Sequence, residues 1–227
     1  MIIFILYRDR KKHLEYFLKN LIPTFKKYIP NFKIIVAEQS EKGCFNKGKL
    51  INSVFKECLN EIDEWFVIHD VDTIPSETFI KKNYNKEDYD IIRFSVPNPD
   101  ALGGSVKLTK DIMIKNNGFP NNIWGWGIED RASYVRSKLV NAKLSDIYNH
   151  HCFGSNKNFK VLPHKSNARA YKNELKTISD YWRIENFKNK SDEEIKEALK
   201  DGIKTVEYKV LSRCRINDVT EKITFEL

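Results

Sequence analysis

Asp70 and Asp72 stand two residues apart in the segment FVIHDVD, directly after an apolar run. Side chains at i and i+2 of extended backbone point the same way, so the two carboxylates converge. Two like charges so close are unfavourable unless a cation neutralises them. Carboxylate oxygens suit Mg²⁺ or Mn²⁺, and such a cation can hold a diphosphate. At the end of a parallel strand the pair would face the crevice where open α/β sheets bind ligands. An Asp-x-Asp triplet also occurs in plain solvated turns; the buried run before this one favours a site.

A second group is Trp124-Gly125-Trp126-Gly127-Ile128-Glu129-Asp130. Indole faces pack on the apolar face of a pyranose, and the glycines permit a tight or movable backbone. Glu129 and Asp130 then fall at a helix N-terminus, where carboxylates interact favourably with the dipole. The bland alternative is a capped helix with two core aromatics. Arg8 and Arg10, after Tyr7, could grip a pyrophosphate or a pyrimidine, or simply form a polar turn. Phe45-Asn46-Lys47-Gly48-Lys49 reads as a loop entering a helix, with Lys47 a further phosphate contact. His164 and the pair His150-His151 are candidate metal ligands, although a lone histidine is more often structural.

These residues need elements to position them. Ile2 to Tyr7 is a continuous apolar run, as in a buried central strand. Leu14, Phe17, Leu18, Leu21, Ile22 and Phe25 then share one helical face, with Pro23 expected to kink or break the helix. Phe32 to Ala37 is a second strand, Leu50 to Leu59 a second amphipathic helix, and Trp65 to His69 a third strand. Strand, helix, strand, helix, strand is the pattern of a parallel sheet covered by helices. Beyond it, Ile91 to Val96 and Ser105 to Leu108 read as strands, Asp111 to Lys115 and Glu129 to Val140 as helices, and Asn149 to Lys160 as loop. Ser191 to Glu194 has a capping-box signature, with Ile195 and Leu199 on the inner face. Val206 to Val210 and Ile223 to Phe225 close the chain as strands. No repeat or linker interrupts this order, which reads as one α/β domain over residues 1–227.

Composition narrows the class. The chain has 227 residues, 41% hydrophobic and 12% aromatic, enough for one sizeable core. The net charge of +8 suits a phosphate-bearing ligand, an anionic surface or nucleic acid, but the basic residues are scattered and form no block. Cys44, Cys58, Cys152 and Cys214 show no zinc spacing and read as reduced thiols, with two bridges left open. The apolar N-terminal stretch is too short for a signal h-region or an anchor, so the expectation is a soluble, cytoplasmic chain without a membrane span.

The order and content of these segments resemble the β-1,4-galactosyltransferase family, inverting enzymes of GT-A fold. IIFILYRDRKKHLEYFL is similar to the family's first strand and nucleotide loop, FNKGKLINSVF to its FNRAKLLNVGF segment, and HDVDTIP to its SDVDLIP metal motif. GGSVKLTKDIMIKNNGFPNNIWGWGIED follows the family's GG-to-WGWGGED block almost position by position. The resemblance implies that Asp72 ligates Mn²⁺ together with His164, and that Asp70 and Val71 lie near the nucleotide. It implies a UDP pocket lined by Tyr7, Arg8, Arg10, Phe45 and Lys47. It makes Trp126 part of a mobile loop over donor and acceptor, Asp130 the general base, and Glu129 a support of the acceptor site. Residues 1–75 would form the nucleotide-binding half, and 76–227 the half that holds donor sugar and acceptor.

Four departures stand out. Arg131 replaces a third acidic residue that helps the family hold an N-acetylglucosamine acceptor. Ile128 replaces a glycine beside the donor, and Val161 a metal-binding methionine of some members. Ala101, before Leu102 and Gly104, aligns with a tyrosine that disfavours a C2 N-acetyl group. The resemblance thus implies a Mn²⁺-dependent inverting transferase. It would move galactose or N-acetylgalactosamine from UDP-galactose or UDP-N-acetylgalactosamine to a glycan or glycoconjugate acceptor, without nucleic acid. The alternatives are a catalytically inactive carbohydrate-binding relative and a basic nucleic-acid-binding protein.

Overall fold

The apolar run Ile2–Tyr7 forms β1, buried along its whole length. Alternate side chains serve opposite faces: Phe4 and Leu6 enter one core cluster, Ile3 and Ile5 another. That double burial is why the strand reads as a continuous rather than an alternating pattern. A computed structural model describes residues 1–41, 43–96, 99–125, 127–145, 149–150, 155–164 and 175–227. In chain order β1 is followed by α1 (Lys11–Tyr28), β2 (Lys33–Gln39), α2 (Lys47–Glu57), β3 (Trp65–Asp70), β4 (Thr73–Pro75), α3 (Glu77–Asn83), β5 (Ile91–Val96), β6 (Ser105–Thr109) and α4 (Lys110–Lys115). Then come α5 (Glu129–Leu139), β7 (Asn149–His150), β8 (Phe159–Val161), α6 (Leu175–Tyr181), a 3-10 turn (Ile184–Phe187), α7 (Asp192–Ala198), β9 (Lys209–Arg215) and β10 (Thr220–Glu226).

Among the described residues, eight strands form one sheet in the order β7-β5-β6-β3-β1-β2-β10-β9. The centre is parallel: β1 pairs with β2 and β3, and β10 joins β2. β6 runs antiparallel to both β3 and β5, and β9 antiparallel to β10. α2 and α4 cover one face through Leu50, Ile51, Val54, Phe55, Ile112 and Met113. α1 and α3 cover the other through Leu14, Phe17, Leu21, Phe25, Phe79 and Ile80. This is the α/β layering of a GT-A sheet, and the ends of β1 and β3 share one edge because the strands are parallel.

Several sequence expectations shift. α1 runs unbroken through Pro23. Pro23 and Lys19, whose carbonyl loses its amide partner, both lie on the exposed face, which is open to water. The buried face carries the helix past them; truncating Phe17 there would cost about 3–5 kcal/mol. The stretch from Asn149 to Lys160 is not all loop, since β7 pairs with β5 and β8 with β4. The closing hairpin begins at Lys209 rather than Val206. α7 has its capping box, but Ala198 is its buried residue. Cys44, Cys58 and Cys214 are free thiols, and Cys152 lies outside the described residues. Among the described residues no helix is long and apolar enough to cross a membrane.

Candidate active site

β1 and β3 deliver their last residues to the same sheet edge. Tyr7 is buried in the core, and burial raises the pKa of its hydroxyl. Arg8 turns outward, lies 5.4 Å over the Phe45 ring, and donates to the Glu41 carbonyl at 3.4 Å. Arg10 reaches across to Asp72: its Nη1 donates to Oδ2 at 2.5 Å. His164 Nε2 meets the same oxygen at 2.9 Å, and Arg10 Nη2 donates to His164 Nδ1 at 3.0 Å. Both ring nitrogens of His164 are therefore engaged, Nδ1 by Arg10 and Nε2 by Asp72. Burial alone would raise the Asp72 carboxyl, but the His164 hydrogen bond and the Arg10 charge outweigh it and bring it down to about 2.

What brings His164 here is a two-stranded pairing. β4 follows directly on Asp72, β8 pairs with it in the register Thr73 to Val161, and Leu162 N–H donates to the Asp72 carbonyl at 2.8 Å. Two residues on, His164 has nowhere to go but alongside Asp72. A carboxylate and an imidazole nitrogen within contact are a donor set that suits Mn²⁺. Among the described residues no group of three such ligands occurs, so the remaining positions would fall to water and ligand oxygens. Val161 contributes to β8 through its backbone. His151 lies outside the described residues, and His150 is described only as part of β7. Val71, expected near the nucleotide, packs its side chain into the core.

The second carboxylate has different company. Lys47 opens α2, and its Nζ lies 3.2 Å from Asp70 Oδ1 and 3.3 Å from Asp130 Oδ1. It donates to Asp130 Oδ2 at 3.3 Å. Burial opposes a charge on this lysine, yet Asp130 and Asp70 together hold its pKa above the ordinary lysine value. Asp70 is pushed up to about 6 by burial, with Lys47 pulling against its neighbours Asp72 and Asp130. The start of α2 is fixed locally: Asn46 Oδ1 accepts from Lys49 N–H at 2.9 Å, a cap worth about 1 kcal/mol, and Asn46 N–H donates to the buried Gln39 at 2.8 Å.

Glu129 and Asp130 form the first turn of α5 and are unlike in state. Glu129 is 5% exposed, its Oε2 has no hydrogen-bond partner, and burial beside Asp130 pushes its carboxyl up to about 8. Asp130 has the Lys47 cation against it, and its buried Oδ1 accepts no hydrogen bond. Gly125 N–H donates to the Phe45 carbonyl at 2.8 Å, which ties the Trp-Gly loop to the segment before α2. Trp126 lies outside the described residues. The segment Ala101–Gly104 threads between β3 and α5: Asp70 N–H donates to the Gly104 carbonyl at 2.8 Å, and Leu102 N–H to the Asp130 carbonyl at 3.0 Å. Ala101 is 1% exposed, so its methyl is enclosed here.

The sequence reading missed the frame behind these groups. Asn52 donates to the Phe119 carbonyl at 2.6 Å and accepts from Phe119 N–H at 3.0 Å. Asn121 is held by Asp201 at 2.7 Å, and a Cβ at Gly48 would lie 2.5 Å from the Pro120 carbonyl. The signal was present as asparagines and a glycine inside otherwise regular segments, but their partners lie far along the chain.

Two family models match. The N-terminal region of glycosyl transferase group 7 covers residues 1–85, and the N-terminal domain of galactosyltransferase covers residues 88–165, together most of the chain. The chain belongs to the β-1,4-galactosyltransferase family. It is 38% identical over 141 residues to β-1,4-galactosyltransferase 1 of Bos taurus, which is 59% of this chain and 35% of that protein. The counterpart from Mus musculus is 35% identical over 150 residues, 63% of this chain and 37% of that protein. The chain thus spans little more than a third of the curated relatives it matches. In structure it is similar to the catalytic domain of Drosophila β1,4-galactosyltransferase 7 in complex with xylobiose. The TM-score is 0.76 at 21% identity, over 100% of this chain and 93% of that one. A mutant of the same enzyme in complex with manganese, UDP-Gal and xylobiose gives 0.76 at 20% identity, with the same coverage.

Against the family pattern, the departures have structural consequences. Ile128, in the place of a glycine, adopts φ 83, where a β-branched residue costs roughly 1–2 kcal/mol. Its side chain packs with the Ala132, Val135 and Trp182 cluster, which offsets part of that cost. Arg131 turns toward α6, where Nη1 donates to Ser179 Oγ at 2.8 Å.

Proposed function

We propose that this chain transfers galactose or N-acetylgalactosamine from a UDP-sugar to a hydroxyl of an acceptor sugar, with inversion at the anomeric carbon. The observation that carries the reading is the placement of Asp130 across one lysine from Asp70, at the edge where Asp72 and His164 meet. That gives a carboxylate held by one lysine on one side of a crevice and a cation-binding pair on the other. The manganese, UDP-Gal and xylobiose complex of the Drosophila enzyme supports the same choice of ligands.

In this reading Arg8 and Phe45 flank the nucleotide, and Arg10 and Lys47 face its phosphates. Tyr7, the Val71 backbone, Ala101 and Gly104 complete the donor pocket, with Trp126 closing over it. Asp72 and His164 would hold Mn²⁺, which when bound neutralises charge on the departing diphosphate. Asp130 accepts the proton from the acceptor hydroxyl as that oxygen bonds to the anomeric carbon. The bond from that carbon to the UDP oxygen breaks, and UDP leaves with the electron pair. Glu129, protonated near neutral pH, donates a hydrogen bond to the acceptor, and Arg131 stands beside it. Residues 1–75 serve the nucleotide and 76–227 the two sugars. Ala101 favours acceptance of a C2 N-acetyl group, since it presents no bulk against one.

The deciding experiment is a donor-by-acceptor screen for UDP release with Mn²⁺. Release that depends on an added sugar acceptor is the expected result. Binding of UDP without acceptor-dependent release would make the chain an inactive carbohydrate-binding relative.

A further inference from the structure

We infer that Lys47, besides facing the donor phosphates, is a positioning residue for Asp130: it fixes that carboxylate at the crevice and supplies the counter-charge beside it. The inference rests on Asp130 being the base proposed above.

Three observations carry it. Lys47 is seated rather than free: its side chain is 11% exposed, and the helix start that bears it is capped by Asn46 and pressed against Pro120 at Gly48. Its ammonium lies within 3.3 Å of an Asp130 oxygen and 3.2 Å of an Asp70 oxygen, so it bridges the end of β3 and the start of α5. The charged or titratable groups facing Asp130 from each packed element are Lys47 from α2, Asp70 from β3 and Glu129 from its own helix. The Ala101–Gly104 segment brings main-chain contacts to it without a charged side chain. Asp130 therefore sits in an enclosed place with one cation and two acids. A neutral side chain at position 47 would leave Asp130 beside two carboxyl groups with no counter-charge to hold it. Lys47 Nζ lies 3.3 Å from both Asp130 oxygens and donates a hydrogen bond to Oδ2, so the whole carboxylate is held by this one cation.

The test compares the full chain with Lys47→Met and Lys47→Arg. UDP binding is measured by calorimetry in Mn²⁺. Turnover of UDP-galactose is measured between pH 5 and 9 with the p-nitrophenyl glycoside most active in the acceptor screen. For Lys47→Met the expected result is a kcat at pH 7 at least tenfold lower, on the order of the smallest effect a mispositioned base gives. Its acid limb moves to higher pH, and part of the activity returns at pH 9. Lys47→Arg restores the limb. A uniform loss at all pH values, or a loss confined to UDP affinity and the donor KM, overturns the inference. Asp130→Asn in the same assay separates the two claims: full kcat there removes the base, whereas an inactive Asp130→Asn beside an unmoved limb in Lys47→Met removes only the role of Lys47. Should Lys47→Met not fold, Lys47→Gln carries the same expectations.

Discussion

Gly103 is the floor on which Asp130 rests. A Cβ built at position 103 would stand 2.0 Å from Asp130 Oδ2 and 2.7 Å from its Cγ, closer than any real contact. Leu102 N–H meanwhile holds the Asp130 carbonyl at 3.0 Å. The glycine is thus required for the approach of another side chain rather than for a turn. Gly103→Ala is expected to displace the carboxylate and lower kcat by about a hundredfold, the scale of losing a general base. The check is kcat alongside a melting curve; a folded variant with normal turnover would separate Asp130 from the chemistry.

Asp130→Asn should lower turnover at least about a hundredfold while UDP affinity, measured by calorimetry, stays close to the parent. Asp130 lies against Lys47, whereas Arg8 lies over the Phe45 ring. If UDP binding collapses and the bound fraction turns over normally, Asp130 belongs to the nucleotide site.

Asp72→Asn should abolish most activity and weaken Mn²⁺ binding, read directly by electron paramagnetic resonance. Asp72 offers the oxygen that Arg10 and His164 share. Activity that survives a chelator such as EDTA would contradict a metal-dependent reaction.

Glu129 gives a prediction for stability. Its carboxyl is raised to about 8 chiefly by burial, so the folded chain keeps a proton that the unfolded chain releases near the ordinary glutamate value. Its contribution is fully present below that ordinary value and is lost as pH rises toward 8. Glu129→Gln should therefore gain in Tm relative to the parent between pH 5 and pH 8, then hold a constant difference. A difference independent of pH would mean that Glu129 ionises freely.

Donor choice turns on Ala101. Kinetics with both donors should give UDP-N-acetylgalactosamine a kcat/KM at least equal to that of UDP-galactose, with Ala101→Tyr restoring a preference for galactose. Ala101 is enclosed in this structure, so the C2 substituent has to open the Pro99–Leu102 turn to reach it. A strong parental preference for UDP-galactose, unchanged by tyrosine, would show that the enclosure decides.

The sequence by itself determined the local half of this protein. Ile2–Tyr7, the Leu14 to Phe25 stripe and the Ser191 to Glu194 cap are fixed by burial periodicity and capping chemistry over a few residues, and all appear as elements. The DVD triplet and the Glu129-Asp130 pair were legible because each is a short run of charge at the end of a hydrophobic pattern. Only the tertiary structure decided who neutralises whom. Lys47 takes Asp70 and Asp130, and Arg10 takes Asp72, although sequence distance favours neither pairing. The short strands β4 and β8 were invisible because three-residue strands carry no period, yet their register is what sets His164 against Asp72. That Pro23 does not break α1 has the complementary reason. Whether a lost hydrogen bond breaks a helix depends on whether water reaches the freed carbonyl, and exposure is a property of the fold.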